Sequence, residues 1–490
     1  MTKLATTACR MLIGGELVES EGGGWDESLN PANEEVIGRA PAATAADVDR
    51  AVIASVRAWP QWAALGVSGR AQVLRSFAAR LLQHADELLR IEVLDTGNTI
   101  GPMRGDVRMG VDSLEYYAGL GYELKGQTIP STPSNLHLTV REPYGVVVRI
   151  VPFNHPVMFA TARTAAALMA GNAVIVKPPE TSPLSALALA EIARDIFPAG
   201  VFNIVTGRGA STGDALVRHP GVKRIAFIGS SATGRAIQKV AADSAVKHVS
   251  LELGGKNPMI VFPDADPEAV AKAAVGGMNF TWQGQSCGST SRLLLHESLY
   301  ERVLEQVVDL VSAIRVGDPM DETSQMGPIN SAGQLAKVKH YIEAAKADGA
   351  RLLTGGERPQ GDAFARGYWV RPTVFGDVTA DMRIAREEVF GPVLSVMRWS
   401  KLDEAIEMAN AVEYGLTAAI WTNDINTALT TARRVRAGHQ WINGFGAHYM
   451  GVPFGGFKNS GVGREEGLEE MLDYTETKTI NIVLGEPRQS

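Results

Sequence analysis

GVVVRIVPFNHPVMFATARTAAALMAGNAVIVKPPE, residues 145–180, decides the fold. An apolar, β-branched run (GVVVRIVPF) leads into a stretch from about Met158 to Ala170 with helical character, and a second apolar run (AVIVKP) closes it. Strand-like runs separated by helical patterns of about 10–15 residues read as βαβ units, hence as a mostly parallel sheet with helices on both faces. The rhythm continues toward the C-terminus through a helix from Ser185 to Ile196, VFNIVTG, a helix, RIAFIG, a helix and HVSLELGG, which gives a Rossmann-like arrangement. From Asn257 a second alternation begins, with PMIVF, a long helix through Phe280, SRLLLHE, a helix from Leu299 to Ile314 and a strand near Pro392 to Met397. It predicts a second α/β domain.

Toward the N-terminus, apolar residues recur every three or four positions between Asp47 and Asp95, so two or three amphipathic helices and a helical N-terminal arm are expected. Alternation and Pro/Ser punctuation from about Ile129 to Val140 suggest a strand pair standing apart from the main sheets. The tail TKTINIVL is β-branched and would be an exposed edge unless it pairs. The expected organisation is an α/β chain with a discontinuous cofactor unit (1–120 and 142–253), a catalytic unit (254–455) and a small β bridging element (121–141 and 472–490).

Composition narrows the function. The chain has 490 residues, too many for one ordinary core. A formal net charge of -7 provides no basic footprint for nucleic acid. No apolar run reaches the roughly 20 residues that span a bilayer, and the N-terminus has no signal-like apolar core, so a cytoplasmic protein is expected. Two cysteines, Cys9 and Cys287, can build neither a disulfide framework nor a multi-cysteine metal site in one chain, and no metal is expected.

Six motifs carry candidate chemistry. FTWQGQSCGSTSRLLLHE places Cys287 among small neighbours that would let a carbonyl approach its sulfur beside backbone amides. A lone buried cysteine is more often structural. HVSLELGGKNP sets Glu252 at the end of a strand, where open α/β sheets place their sites and a carboxylate can act as general base, although a surface Glu at a turn is the commoner case. FIGSSATGR runs from a strand through Gly229 and Ser230 into a helix containing Gly234, offering amides to an anion; a plain glycine cap reads equally well. VIVKPPETSP carries Lys177 and Glu180, suited to ribose hydroxyls unless they are simply solvated charges. PFNHP stiffens Asn154 between prolines as a donor to a developing oxyanion, and EEVFGPV offers Glu388 and Phe390 as a ribose contact and an apolar wall.

Taken together and in this order, from LNPANEEVIGRAP to SGVGRE and TETKTI, these segments resemble the NAD(P)-dependent aldehyde dehydrogenase superfamily of the hydrolytic type over nearly the whole chain. The resemblance implies Cys287 as nucleophile, Asn154 as the side-chain half of the oxyanion hole and Glu252 as general base. It implies Lys177 and Glu180 on the adenosine ribose, Gly229 and Ser230 at the pyrophosphate turn with Gly234 in the following helix, Leu253 as a further cofactor-binding residue, and Glu388 and Phe390 on the nicotinamide ribose. Leu468 stands where the family has a further acidic residue, so no relay through a second glutamate is implied there. The implied reaction oxidises an aldehyde to a carboxylic acid through a thioester that water hydrolyses. NAD is the expected cofactor, since Glu180 would repel a 2′-phosphate, with NADP accepted by some relatives.

Two rival readings follow from the same residues. A CoA-acylating relative would lack a base such as Glu252, and a non-catalytic relative would retain the fold without the intact Cys, Glu, Asn and Lys set. His155, Phe159, Ala162, Arg163, His448 and Tyr449 are expected to line the substrate tunnel. Two histidines and an alanine where relatives carry large rings suggest a wider, more polar tunnel for an aromatic aldehyde or a semialdehyde. The bridging element implies a homodimer or homotetramer.

Overall fold

The computed structural model describes residues 9–485; the first eight residues of the expected cofactor unit and residues 486–490 of the bridging tail lie outside it. The opening stretch folds as read: Val146–Ile150 and Ala173–Lys177 are parallel neighbours joined by a helix, Pro156–Met169. Proline at the first helical position fits a helix start, and all fourteen residues of the helix are buried.

These strands belong to an eight-stranded sheet. Its order from one edge is Glu16–Val18, Met11–Ile13, Phe202–Ile204, Ala173–Lys177, Val146–Ile150, Arg224–Gly229, His248–Leu253 and Gly461–Val462. The five central strands are parallel and both flanks are antiparallel. Chain direction along the sheet reverses between Val146–Ile150 and Arg224–Gly229. That is the switch point at which open α/β sheets bind ligands beyond their carboxyl ends.

A second, seven-stranded sheet runs Arg351–Thr354, Thr373–Gly376, Val393–Trp399, Arg292–His296, Pro258–Val261, Thr417–Trp421 and His439–Ile442, parallel except at its first edge. Only four residues separate Leu253 from Pro258, so the end of the first sheet feeds directly into the middle of the second. The two sheets have distinct cores, one around Phe77, Phe197 and Phe202 and another around Phe262, Phe375 and Trp399.

The helical arm read between Asp47 and Asp95 forms as three helices, and strands precede it. Four short strands, Met11–Ile13, Glu16–Val18, Trp25–Leu29 and Val36–Pro41, precede the first helix. Met11–Ile13 is too short to show a period and is fixed by a distant partner, Leu12 pairing with Ile204. Helices then follow at Ala45–Ala64, Gly66–Gln83, Ala85–Thr96 and Ile100–Leu120. The expected long helix through Phe280 ends at Gly277, because Asn279 and Gln283 adopt left-handed backbone around a single turn, Phe280–Trp282.

Thr128–Thr132 and Asn135–Pro143 do stand apart, and the tail strand Thr475–Val483 pairs with Asn135–Pro143 along its whole length. The tail is thus paired within its own chain on one side. Its apolar side chains remain exposed, among them Ile480, Ile482 and Val483. No helix of the described residues is long and apolar enough to cross a membrane.

Candidate active site

Cys287 sits in the turn between the Phe280–Trp282 segment and the strand Arg292–His296. The turn is clamped from the side. Asn257 Nδ2 donates to the carbonyls of Cys287 at 2.7 Å and Ser289 at 2.9 Å, while its Oδ1 accepts from the Thr417 amide at 3.0 Å. Gly255 abuts the same turn: a Cβ there would stand 2.8 Å from the Cys287 carbonyl oxygen, so the residue after Leu253-Gly254 has to be small.

Glu252, the penultimate residue of its strand, is 4% exposed, which removes the reading as a surface turn residue. Its carboxyl shares one cavity with the Cys287 thiol, and its buried Oε1 has no hydrogen-bond partner. Burial, reinforced by the nearby Glu465 carboxylate, pushes Glu252 up to about 8. Burial and the facing Glu252 push the Cys287 thiol well above its ordinary range. A thiol that resists ionisation beside a carboxyl that titrates near neutrality is a donor matched to a base. Cys9, by contrast, is buried in the first core with its thiol pushed up to about 12, chiefly by desolvation.

Asn154 faces the same cavity, about 420 Å³ in volume, as Cys287 and Glu252. Its backbone carbonyl accepts from Asn98 Nδ2 at 2.7 Å, whereas its buried side-chain Oδ1 has no partner. The helix that follows is held from beneath by Glu92, which accepts from the Val157 amide at 3.1 Å. The PFNHP loop is therefore anchored by its backbone, and the Asn154 amide group is left uncommitted.

His155, Phe159, Arg163 and His448 all line this cavity. Ala162 and Tyr449 do not: Ala162 is buried on another face of its helix and Tyr449 is 60% exposed. Arg163 is buried between Glu465 and Glu466. Burial would raise the Glu466 carboxyl, but Arg163 and His448 hold it down at about 2. Sequence reasoning missed Glu466, Asp106 and the aromatic walls Trp282, Trp441, Phe445 and Phe454. The acidic run in SGVGREE was the available signal for Glu466. Leu468, where the resemblance leaves out an acidic residue, instead begins a short helix and packs on the first core.

A separate cleft of about 500 Å³ opens at the switch point of the first sheet, lined by Ile150, Lys177, Phe227, Gly209, Ala232 and Thr233 among others. Lys177 is buried there, donates to the Pro178 carbonyl at 2.9 Å, and is lowered to about 8 by desolvation. Glu180 is exposed and joins the rim by accepting from the Gly209 amide at 3.1 Å. Ser230 caps the helix Ser231–Ser244, its Oγ accepting from the Thr233 amide at 3.2 Å, so that helix presents its N-terminus to the cleft after Gly229. Gly234 is placed differently: a Cβ there would lie 2.8 Å from the Leu253 side chain, so it brings the helix down onto the sheet. Leu253 is buried under Gly234 and lines neither cavity. Glu388 accepts from the Gly255 amide at 2.8 Å and shares a small crevice with Phe390 and Ser286 behind the cysteine turn.

A doubly wound sheet with an open cleft at its switch point is the arrangement in which open α/β folds bind dinucleotides, the class of the NAD(P)-dependent oxidoreductases. The profile of the Aldehyde dehydrogenase family matches residues 18–480. The chain belongs to the aldehyde dehydrogenase family. It is 47% identical over 466 residues to aldehyde dehydrogenase tropH of Talaromyces stipitatus, covering 94% of this chain and 90% of that one. Among solved structures it resembles PnpE of Pseudomonas sp. WBC-3 in complex with nicotinamide adenine dinucleotide, at 40% identity and TM-score 0.95 over 98% of both chains. It also resembles an aldehyde dehydrogenase of Bacillus cereus in its NAD+ complex, at 38% identity and TM-score 0.94 over 98% of this chain and 97% of that one. Among the described residues no cluster of three His, Cys, Asp or Glu side chains could hold a metal ion.

Proposed function

We propose that the protein oxidises an aldehyde to a carboxylic acid through a thioester on Cys287, with NAD as cofactor and NADP as an alternative. The observation that carries this reading is that the Cys287 thiol, the buried Glu252 carboxyl with its unpartnered Oε1 and the uncommitted Asn154 amide line one cavity. The switch-point cleft suits a dinucleotide: Lys177 and Glu180 would hold the adenosine ribose, and the amides after Gly229 at the Ser230 cap would hold the pyrophosphate. Glu388 and Phe390 would hold the nicotinamide end. The bound cofactor supplies the hydride acceptor. Exposed Glu180 at the rim would repel a 2′-phosphate, which favours NAD.

In this reading Glu252 takes the Cys287 proton as sulfur adds to the aldehyde carbon. The Asn154 amide and the Cys287 backbone N–H donate to the oxygen that becomes negative. Loss of hydride leaves an acyl group on sulfur. Glu252 gives that proton up to solvent, then draws a proton from water attacking the thioester carbon and passes it to sulfur as the C–S bond breaks, which returns the thiol and releases the acid. The presence of that base favours water over CoA as acyl acceptor.

Residues 1–120 with 142–253 would form the cofactor unit, residues 254–455 the catalytic unit, and 121–141 with 472–490 the bridging element. The free edge and exposed Ile480, Ile482 and Val483 of the tail strand support a homodimer or homotetramer. Of the two substrate classes, the aromatic rings of the cavity and the double pairing of Arg163 favour an aromatic aldehyde over a carboxylate-bearing semialdehyde. Cys287→Ala should abolish NADH formation with every aldehyde tested while leaving the thermal midpoint in place. Retained turnover refutes the assignment, and acyl-CoA as the main product in the presence of CoA refutes the hydrolytic outcome.

A further inference from the structure

The aldehyde cavity contains two groups for which the oxidation itself has no use. Asp106 Oδ2 lies 2.8 Å from His155 Nδ1, and both carboxylate oxygens of Glu466 lie 2.9 Å from His448 Nδ1. An ionised carboxylate only accepts hydrogen bonds, so each Nδ1 donates, and the neutral ring then carries its lone pair on Nε2. Neither Nε2 has a partner among the described residues, and both histidines line the cavity. The carboxylates also fix the orientation of the two rings.

The surroundings say what such acceptors would meet. His155 packs edge-on against Trp282 at 4.8 Å and near Phe159 at 6.2 Å, and His448 lies 4.7 Å from Phe454. The spaces beside both acceptors are therefore walled by flat apolar rings. Charge selects further. The lining contains the carboxyls of Asp106, Glu252 and Glu466, and its guanidinium, Arg163, is already committed to Glu465 and Glu466. An anionic substituent would find no free cation there, and a purely apolar one would leave a buried acceptor unpaired.

We propose that the cavity selects an aromatic aldehyde bearing a ring hydroxyl, which donates to Nε2 of the buried His155, with His448 as the outer counterpart. This rests on the aldehyde-oxidising reading above. A hydroxyl satisfies the acceptor, a methoxy group offers no proton, and a carboxylate adds charge of the wrong sign.

The test compares kcat/KM at saturating NAD for benzaldehyde, its three hydroxy isomers, the matching methoxy compounds, carboxybenzaldehyde and propanal. At least one hydroxybenzaldehyde should exceed both benzaldehyde and its methoxy counterpart by about tenfold or more, because a site built around a substrate hydroxyl penalises its absence. Carboxybenzaldehyde should be the poorest aromatic substrate. His155→Phe should bring the hydroxy-to-parent ratio close to one, and the near-isosteric Asp106→Asn should lower that ratio without loss of the fold. Methoxy compounds matching hydroxy compounds, or a ratio unchanged in both variants, would overturn the proposal. Absence of NADH with every aldehyde, propanal included, would instead overturn the underlying aldehyde-dehydrogenating reading.

Discussion

Asn257→Ala should disable the enzyme without touching any group that reacts. The side chain makes three buried hydrogen bonds, to the carbonyls of Cys287 and Ser289 and from the amide of Thr417, which tie the cysteine turn to the second sheet. Each buried polar group left unpaired costs about 1–3 kcal/mol, so truncation should destabilise this region by about 3 kcal/mol, the low end of the sum, because water can enter the vacated space. The turn should relax away from Glu252 and Asn154, and a misplacement of about 1 Å lowers kcat/KM by roughly a hundredfold. Asn257→Asp discriminates more sharply. It keeps the shape and the acceptor for Thr417 but replaces the single donor Nδ2 by an oxygen facing both carbonyls, so it should be at least as damaging as alanine. Steady-state kinetics, thermal midpoints and the alkylation rate of Cys287 measure the effect. An Asn257→Asp enzyme within about threefold of wild-type kcat/KM would refute the clamp argument.

Other perturbations follow from the same geometry. The Glu252 carboxyl, raised to about 8 by burial and Glu465, stays protonated in the folded chain over a range where the unfolded chain has released its proton. Its raised value therefore costs stability as pH climbs from about 5 to 8, and the thermal midpoint of Glu252→Gln should exceed that of wild type by a margin that widens over this range; a constant margin contradicts the assignment. Aldehyde kcat/KM should rise with pH through about 8 in wild type, and Glu252→Gln should lose this dependence in a stopped-flow or steady-state profile. Gly110→Ala places a Cβ 2.2 Å from the Thr161 hydroxyl on the helix that follows Asn154, so an overpacking cost of about 1–3 kcal/mol should appear in thermal unfolding. Lys177→Met should raise KM for NAD by about tenfold while changing kcat far less, since it would remove a charge-assisted ribose contact; equal losses in both would place Lys177 in the chemistry instead.

The central parallel sheet was legible because its strands are buried on both faces and read as unbroken β-branched runs, as in GVVVRIVPF and AVIVKP. Cys287, Glu252 and Asn154 could be singled out because each stands at or near a strand end among prolines or glycines, and the fold brings all three to one cavity. The short N-terminal strands were not legible. Their pairing partners lie far along the chain, as with Leu12 and Ile204, and three residues carry no period. Asn257 was hidden inside LELGGKNP because it acts on the backbone of residues 30 or more positions away. Offset from a motif could place His155 and His448 in the cavity but mislocated Ala162 and Tyr449, since a helix or loop turns alternate side chains away. It gave no sign that Asp106 and Glu466 back the two histidines.

The central claim, an acyl group carried on Cys287, is tested most directly by acid-quenching Glu252→Gln after mixing with NAD and an aromatic aldehyde, then mapping the peptides by mass spectrometry. Glu252 serves both steps, so NADH should form slowly, and each equivalent released should leave one acyl group on the peptide containing Cys287, with none on Cys9. Stoichiometric NADH without an adduct on that peptide would contradict the account.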